Sequence, residues 1–101
     1  MNSEQIENFA VGKLVLVRTE SAGVHFGALV GRTGGTVLLG GARRIWSWGG
    51  ANTLSEISLT GLDKTSKVSE KVAEILLLGA IEILPVTDAA MRVIDSRGWG
   101  T

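Results

Sequence analysis

The chain has 101 residues, enough for one domain with a modest core. It has no cysteine, one histidine and zero formal net charge. That excludes a disulfide framework and any cysteine-based metal site or nucleophile, and it argues against a nucleic-acid binder with a broad basic surface. Apolar residues make up 45% and the mean hydropathy is +0.28. So apolar a short chain predicts that a partner, most simply a second copy, covers part of the surface.

Residues 1–11 read as an N-terminal arm or short helical lead-in, and residues 12–101 as a single small β-rich domain. The opening Met1–Asn8 is polar and acidic and reads as no secretory signal. The longest apolar stretch, Ile75–Leu84, is broken by Gly79 and Glu82 and is too short to span a bilayer, so a cytoplasmic location is expected, with no membrane partner. Lys13–Thr19, rich in β-branched residues and apolar on both faces, predicts a central strand. Ser21-Ala22-Gly23 makes a turn into a second strand, Val24–Val30, with Val24, Phe26, Ala28 and Val30 on one face and Gly27 marking a bulge or close backbone approach.

Arg32–Gly35 predicts a hairpin turn, 36–39 a third strand, Gly40-Gly41 another turn and 43–48 a fourth strand ending at Gly49-Gly50. Asn52 or Thr53 caps a helical turn that Gly61 ends, with Glu56 at capping-box spacing from Thr53. The stretch 67–78 fits a strand and a helix equally. Ala80–Leu84 is a short strand closed by Pro85, and Thr87 caps a last helix with Ala90, Val93 and Ile94 as its apolar stripe; Trp99 follows in the tail. The expected class is mainly β with one or two short helices (α+β): a small, strongly bent SH3-like or Sm-like barrel with a C-terminal helix.

Two segments carry the chemistry. The net charge hides a balance of +4 over residues 12–50, between two segments of −2 each. Within the positive half, Arg43, Arg44, Trp46 and Trp48 fall in six residues, and Arg18, Ser21 and His25 lie about 25 residues upstream. On a strand Arg44, Trp46 and Trp48 point one way, and Arg43, Ile45 and Ser47 the other. Two arrangements compete. With Ile45 in the core, the first set forms an exposed row suited to stacking on a base and neutralising a phosphate; with the tryptophans in the core, Arg43 and Ser47 face solvent instead.

His25 is of a type that exchanges protons near neutrality, and Ser21 lies four residues before it, but neither a nucleophile elbow nor a third triad member accompanies them. The Ser21–Gly23 turn and the Gly-Gly pairs at 34–35, 40–41 and 49–50 are candidates for presenting backbone N–H groups to an anion. Glu82 reads as a solvated or salt-bridged edge residue.

R-T-E-S-A-G-V-H-F-G, A-R-R-I-W-S-W-G-G-A-N-T-L and E-I-L-L-L-G-A-I-E-I-L-P together resemble a family of small phage and prophage proteins, over roughly residues 13–95. The resemblance implies viral origin, residence in the host cytoplasm and an accessory, non-enzymatic role. Some small phage proteins of this size act as oligomeric sponges that sequester nucleotide immune signals and so counter host defence. The loop Ser21–His25 and the segment Arg43–Asn52 are the polar hallmarks of the resemblance.

The resulting expectation is a homo-oligomeric binder of a small anionic, nucleotide-like ligand, without catalysis, cofactor or metal. Arg18, Arg43 and Arg44 would meet phosphate, Trp46 or Trp48 would stack on the base, and Ser21, His25 and Asn52 would add polar contacts. The alternative is a structural or protein-interaction module, a virion accessory protein or an inhibitor masking a host protein, with the same tryptophans as interface anchors.

Overall fold

A computed structural model describes residues 2–98; Trp99 lies outside them. The first strand, β1 (Leu14–Thr19), is central as expected: Val15, Leu16 and Val17 are all fully buried, which requires cover on both faces. It pairs on one side with β2 (Val24–Thr33) and on the other with β6 (Ala80–Pro85), both antiparallel. Leu16 belongs to a cluster with Val24, Phe26, Ile45, Ile57 and Ile94. Val15 and Val17 belong to a second cluster with Leu29, Val37, Leu39 and Leu77, drawn from strands alone. The second cluster therefore lies inside the curl of the sheet, and the first lies beneath the helices.

The stretch predicted as two strands with a turn between them is a single twelve-residue strand, β3 (Thr36–Ser47), joined to β2 by the two-residue turn Gly34-Gly35. Gly40-Gly41 does not reverse the chain. Phe26 faces Arg43 and Ala28 faces Gly40, so Gly41 and Ala42 together oppose Gly27 in a β-bulge, with Gly41 at φ +54°. A Cβ added to Gly27 would sit 3.0 Å from the Gly40 carbonyl oxygen, which is the close approach its position suggested. Val30 is a second extra residue, on β2, and the two bulges bend the ribbon.

The ambiguous stretch 67–78 resolves into strands: β4 (Lys67–Val68) and β5 (Val72–Leu77), both antiparallel to β3 on the edge away from β2. The sheet order is β4-β3-β2-β1-β6, with β5 beside β3. Since β1 and β3 run in one direction, β5 and β6 both run in the other; only Leu78-Gly79 separates them. The chain thus crosses from one end of the sheet to the other without a reversal. Hydrogen bonds from Ala80 N to Gly35 O (2.8 Å) and from Glu20 N to Gly79 O (3.0 Å) pin the crossing. The strongly bent, mainly β architecture is as expected, but the six described strands do not close into a continuous ladder: β5 and β6 are joined, not paired.

Three short helices complete the described residues: α1 (Ser3–Glu7), α2 (Leu54–Thr60) and α3 (Asp88–Asp95). Thr53 caps α2 by accepting from Glu56 N (3.1 Å), and Glu56 reaches back to Asn52 N (2.9 Å). Gly61 ends α2 at φ +87°, where a Cβ would lie 2.7 Å from Val93 of α3, so both conformation and space demand glycine. Thr87 caps α3, which buries Ala90 and Ile94. Among the described residues no helix is long and apolar enough to cross a membrane.

Candidate functional site

The bulge at Gly41 decides which way each residue of the second half of β3 points. Ile45 is buried beside Val24, its partner across β2, and Arg43 shares that covered face. Arg44 and Trp46 take the other face, where they clear the mouth of the curl and stand in solvent. Trp46 is 62% exposed, so the first of the two arrangements is the one realised for this ring. Trp48, just past the strand, is 38% exposed.

Arg43 is 8% exposed and belongs to the fold. Its guanidinium donates to the carbonyls of Ser69 (2.7 Å), Asp95 (2.9 Å) and Arg97 (2.7 Å) and pairs with the Asp95 carboxylate at 3.5 Å. The Asp95 carbonyl ends α3 and Arg97 follows its cap, where a cation also suits the helix dipole. Arg43 therefore ties β3 to α3, which corrects its assignment as a ligand contact: each of its three side-chain nitrogens already donates to the protein, and the guanidinium is buried.

His25 is fully buried opposite Arg44, and its Nε2 accepts from the Arg44 Nε at 3.3 Å. The partner nitrogen, Nδ1, is buried with no hydrogen bond. Burial, reinforced by the Arg44 charge, pushes the His25 pKa down to about 4. His25 is thus neutral at pH 7, and the role of proton carrier near neutrality is withdrawn, as is direct ligand contact. It holds the root of the Arg44 guanidinium instead.

In the Ser21–Gly23 turn the Ala22 N–H is already taken. The Thr19 hydroxyl accepts from Ala22 N (2.8 Å) and donates to Gly23 O (2.9 Å), while Glu20 N is taken by Gly79. At Gly49-Gly50 the first N–H is likewise taken: Gly49 N donates to Ser66 Oγ (3.0 Å), and the Gly49 carbonyl accepts from Asp63 N (2.9 Å).

What remains is a ridge and a separate cleft. Arg44 and Trp46 form the ridge. On one side is a hollow of about 480 Å³, completed by Ser69, Glu70, Val72 and Ile75; on the other is a depression against the Ser21–Gly23 turn. Trp48 lines a different cleft of about 430 Å³ with Arg18, Asn52 and Glu82. Arg18 and Glu82 are direct partners across β1 and β6, so the charges of that cleft offset one another. The eight predicted residues are therefore divided: Arg44, Trp46 and Ser21 meet at the ridge, Arg18, Trp48 and Asn52 meet in the cleft, and Arg43 and His25 lie below the surface.

Sequence reasoning missed Ser69, Glu70, Val72 and Ile75. Their one signal was the polar triplet S-E-K between Val68 and the apolar run that begins at Val72. That break is where Ser69 clasps β3, its N–H donating to Arg44 O (2.9 Å) and its Oγ accepting from Arg44 N (2.8 Å).

A family model described as "domain of unknown function (DUF6948)" matches residues 12–94. No curated protein and no solved structure matches the chain.

Proposed function

We propose that this chain, which belongs to the DUF6948 family, is a non-enzymatic binding protein that captures a small, planar, anionic ligand of nucleotide type in the Arg44–Trp46 hollow. The observation that carries this reading is the exposed Trp46 ring, which lines a hollow together with the Arg44 guanidinium and the apolar side chains of Val72 and Ile75. An indole on a rigid strand is a stacking platform, worth about 1–3 kcal/mol per stacked base. Arg44 Nε is committed to His25, which leaves the terminal nitrogens in a fixed direction for an anion.

Capture without turnover fits the surroundings. With a pKa of about 4 His25 carries no imidazolium proton to donate near pH 7 and is only a weak base, and it lies beneath the surface. Binding a nucleotide signal and holding it is the chemistry of a sponge, and a host-cytoplasmic anti-defence role would follow from it.

The test is a thermal-shift panel of mononucleotides, cyclic nucleotides and ADP-ribose-type compounds. A ligand at a hundred times its Kd should stabilise the fold by about 2.7 kcal/mol. Trp46→Leu should remove the shift, and absence of a shift across the panel would refute capture.

A protein-interaction role is the second reading. It is favoured by Leu76, Leu78 and Ile81, each about 60–70% exposed along the β5–β6 crossing. A stoichiometric protein partner that is lost with Leu76→Lys and kept with Trp46→Leu would favour it over ligand capture.

A further inference from the structure

We infer that Glu70 sets the base specificity of the Arg44–Trp46 hollow, and that the hollow prefers a guanine nucleotide to an adenine one. The inference rests on the capture reading above and names the ligand class within it.

Two charged residues line the hollow, one of each sign. Arg44 supplies donors, Glu70 supplies acceptors, and Trp46, Val72 and Ile75 supply apolar area for a ring. Arg44 and Glu70 are not ion-paired with each other; the nearby pairs join Arg43 and Lys71 to Asp95. The fold makes use of the Glu70 backbone carbonyl, which accepts from Ser69 Oγ at 3.1 Å. Its exposed side chain is left to the hollow.

An ionised carboxylate is an acceptor only, with two oxygens side by side. For a ligand of phosphate alone this is a liability, because Glu70 repels the anion that Arg44 attracts. The liability turns into selectivity when the base carries parallel donors. Guanine presents N1–H and N2–H₂ along one edge, matched to two carboxylate oxygens, whereas adenine presents the N1 lone pair there beside a single amino group. With the ring on Trp46 and the phosphate on Arg44, the free edge of the base is what remains for Glu70 to read. Hypoxanthine, with N1–H and no 2-amino group, should fall between the two.

The experiment is isothermal titration calorimetry of the full chain with 5′-GMP, 5′-IMP and 5′-AMP, on wild type and on Glu70→Gln. Wild type should bind GMP about tenfold more tightly than AMP, with IMP between. In Glu70→Gln the GMP-to-AMP ratio should fall to about twofold or less while binding persists, since lost repulsion of the phosphate acts on all three equally. Equal affinities in wild type, or a preference unchanged by Glu70→Gln, would overturn the assignment and leave capture standing. If none of the three binds wild type, and the wider nucleotide panel is silent too, both readings fall. Glu70→Gln should unfold at the same urea concentration as wild type, so a lost preference cannot be read as lost structure.

Discussion

Acidification tests the buried His25–Arg44 pair directly. In the unfolded chain His25 titrates near 6.5; in the folded chain burial, and then the neighbouring guanidinium, bring it to about 4. As pH falls, the unfolded state takes up the proton first. Stability is therefore complete above about 6.5, declines between 6.5 and 4, and levels off below. At 1.36 kcal/mol per pH unit, the full descent is about 3 kcal/mol, of which about 2 kcal/mol is lost between pH 6.5 and 5.

Against the 5–15 kcal/mol typical of a domain, that loss is large. Few other groups intrude on the upper part of this window. Asp63, held below the usual carboxylate range first by the Thr65 hydroxyl, titrates lower still. Urea unfolding at pH 7.5, 6.5, 5.5 and 5.0, on wild type and on His25→Gln, should show the decline in wild type and a nearly flat profile in the variant, where the amide still offers Arg44 an acceptor. A wild type as stable at pH 5.0 as at 7.5, or a variant that declines as steeply, would refute the buried neutral imidazole.

Three other substitutions separate fold from site. Arg43→Met should cost about 3 kcal/mol or more in urea unfolding, because it leaves the carbonyls of Ser69, Asp95 and Arg97 without their buried donor; Arg44→Met should cost less, about 1–2 kcal/mol, because it leaves only the His25 Nε2 acceptor unpaired. Gly61→Ala should destabilise by about 2–3 kcal/mol, seen as a drop of roughly 10 °C or more in Tm, since it forces a left-handed alanine against Val93. Trp46→Leu should leave stability within about 0.5 kcal/mol, as suits an exposed position, and a loss of several kcal/mol would place the ring in a core instead.

Most of the fold could be read from the chain, for identifiable reasons. Caps and stops are local chemistry: Thr53, Gly61 and Thr87 act through atoms within a few residues, and each does what its position suggested. The centrality of β1 was legible because both faces of L-V-L-V are apolar. Gly40-Gly41 misled because a bulge and a turn share the same glycine signal, and only Gly27, pressed against it from the neighbouring strand, distinguishes them. The stretch 67–78 could not be typed by period, since β5 has one face toward the core and exposed apolar residues on the other. The division of the site was invisible for another reason. Arg43 and Arg44 are chemically identical neighbours, and α3, more than 40 residues away, decides which of them is consumed.

That decision depends on how one residue is accommodated. Unbroken alternation of β3 as it stands in the chain would place Val37, Leu39, Arg43 and Ile45 on the same face. Because one extra residue is taken up in the bulge, Val37 and Leu39 point into the curl, Arg43 and Ile45 point toward the helices, and Arg44 and Trp46 line the hollow. Deleting Gly41 should remove the bulge and keep this phase, since Ala42 then follows Gly40 in plain alternation and alone faces Gly27. The deletion should therefore fold with Trp46 as open to acrylamide as in wild type. A Gly41 deletion that loses the stability of two buried aliphatic side chains, about 3–6 kcal/mol, or that folds with Trp46 fluorescence shifted to the blue and its quenching reduced, would mean that the extra residue does not set the phase of β3, and the ridge would need another explanation.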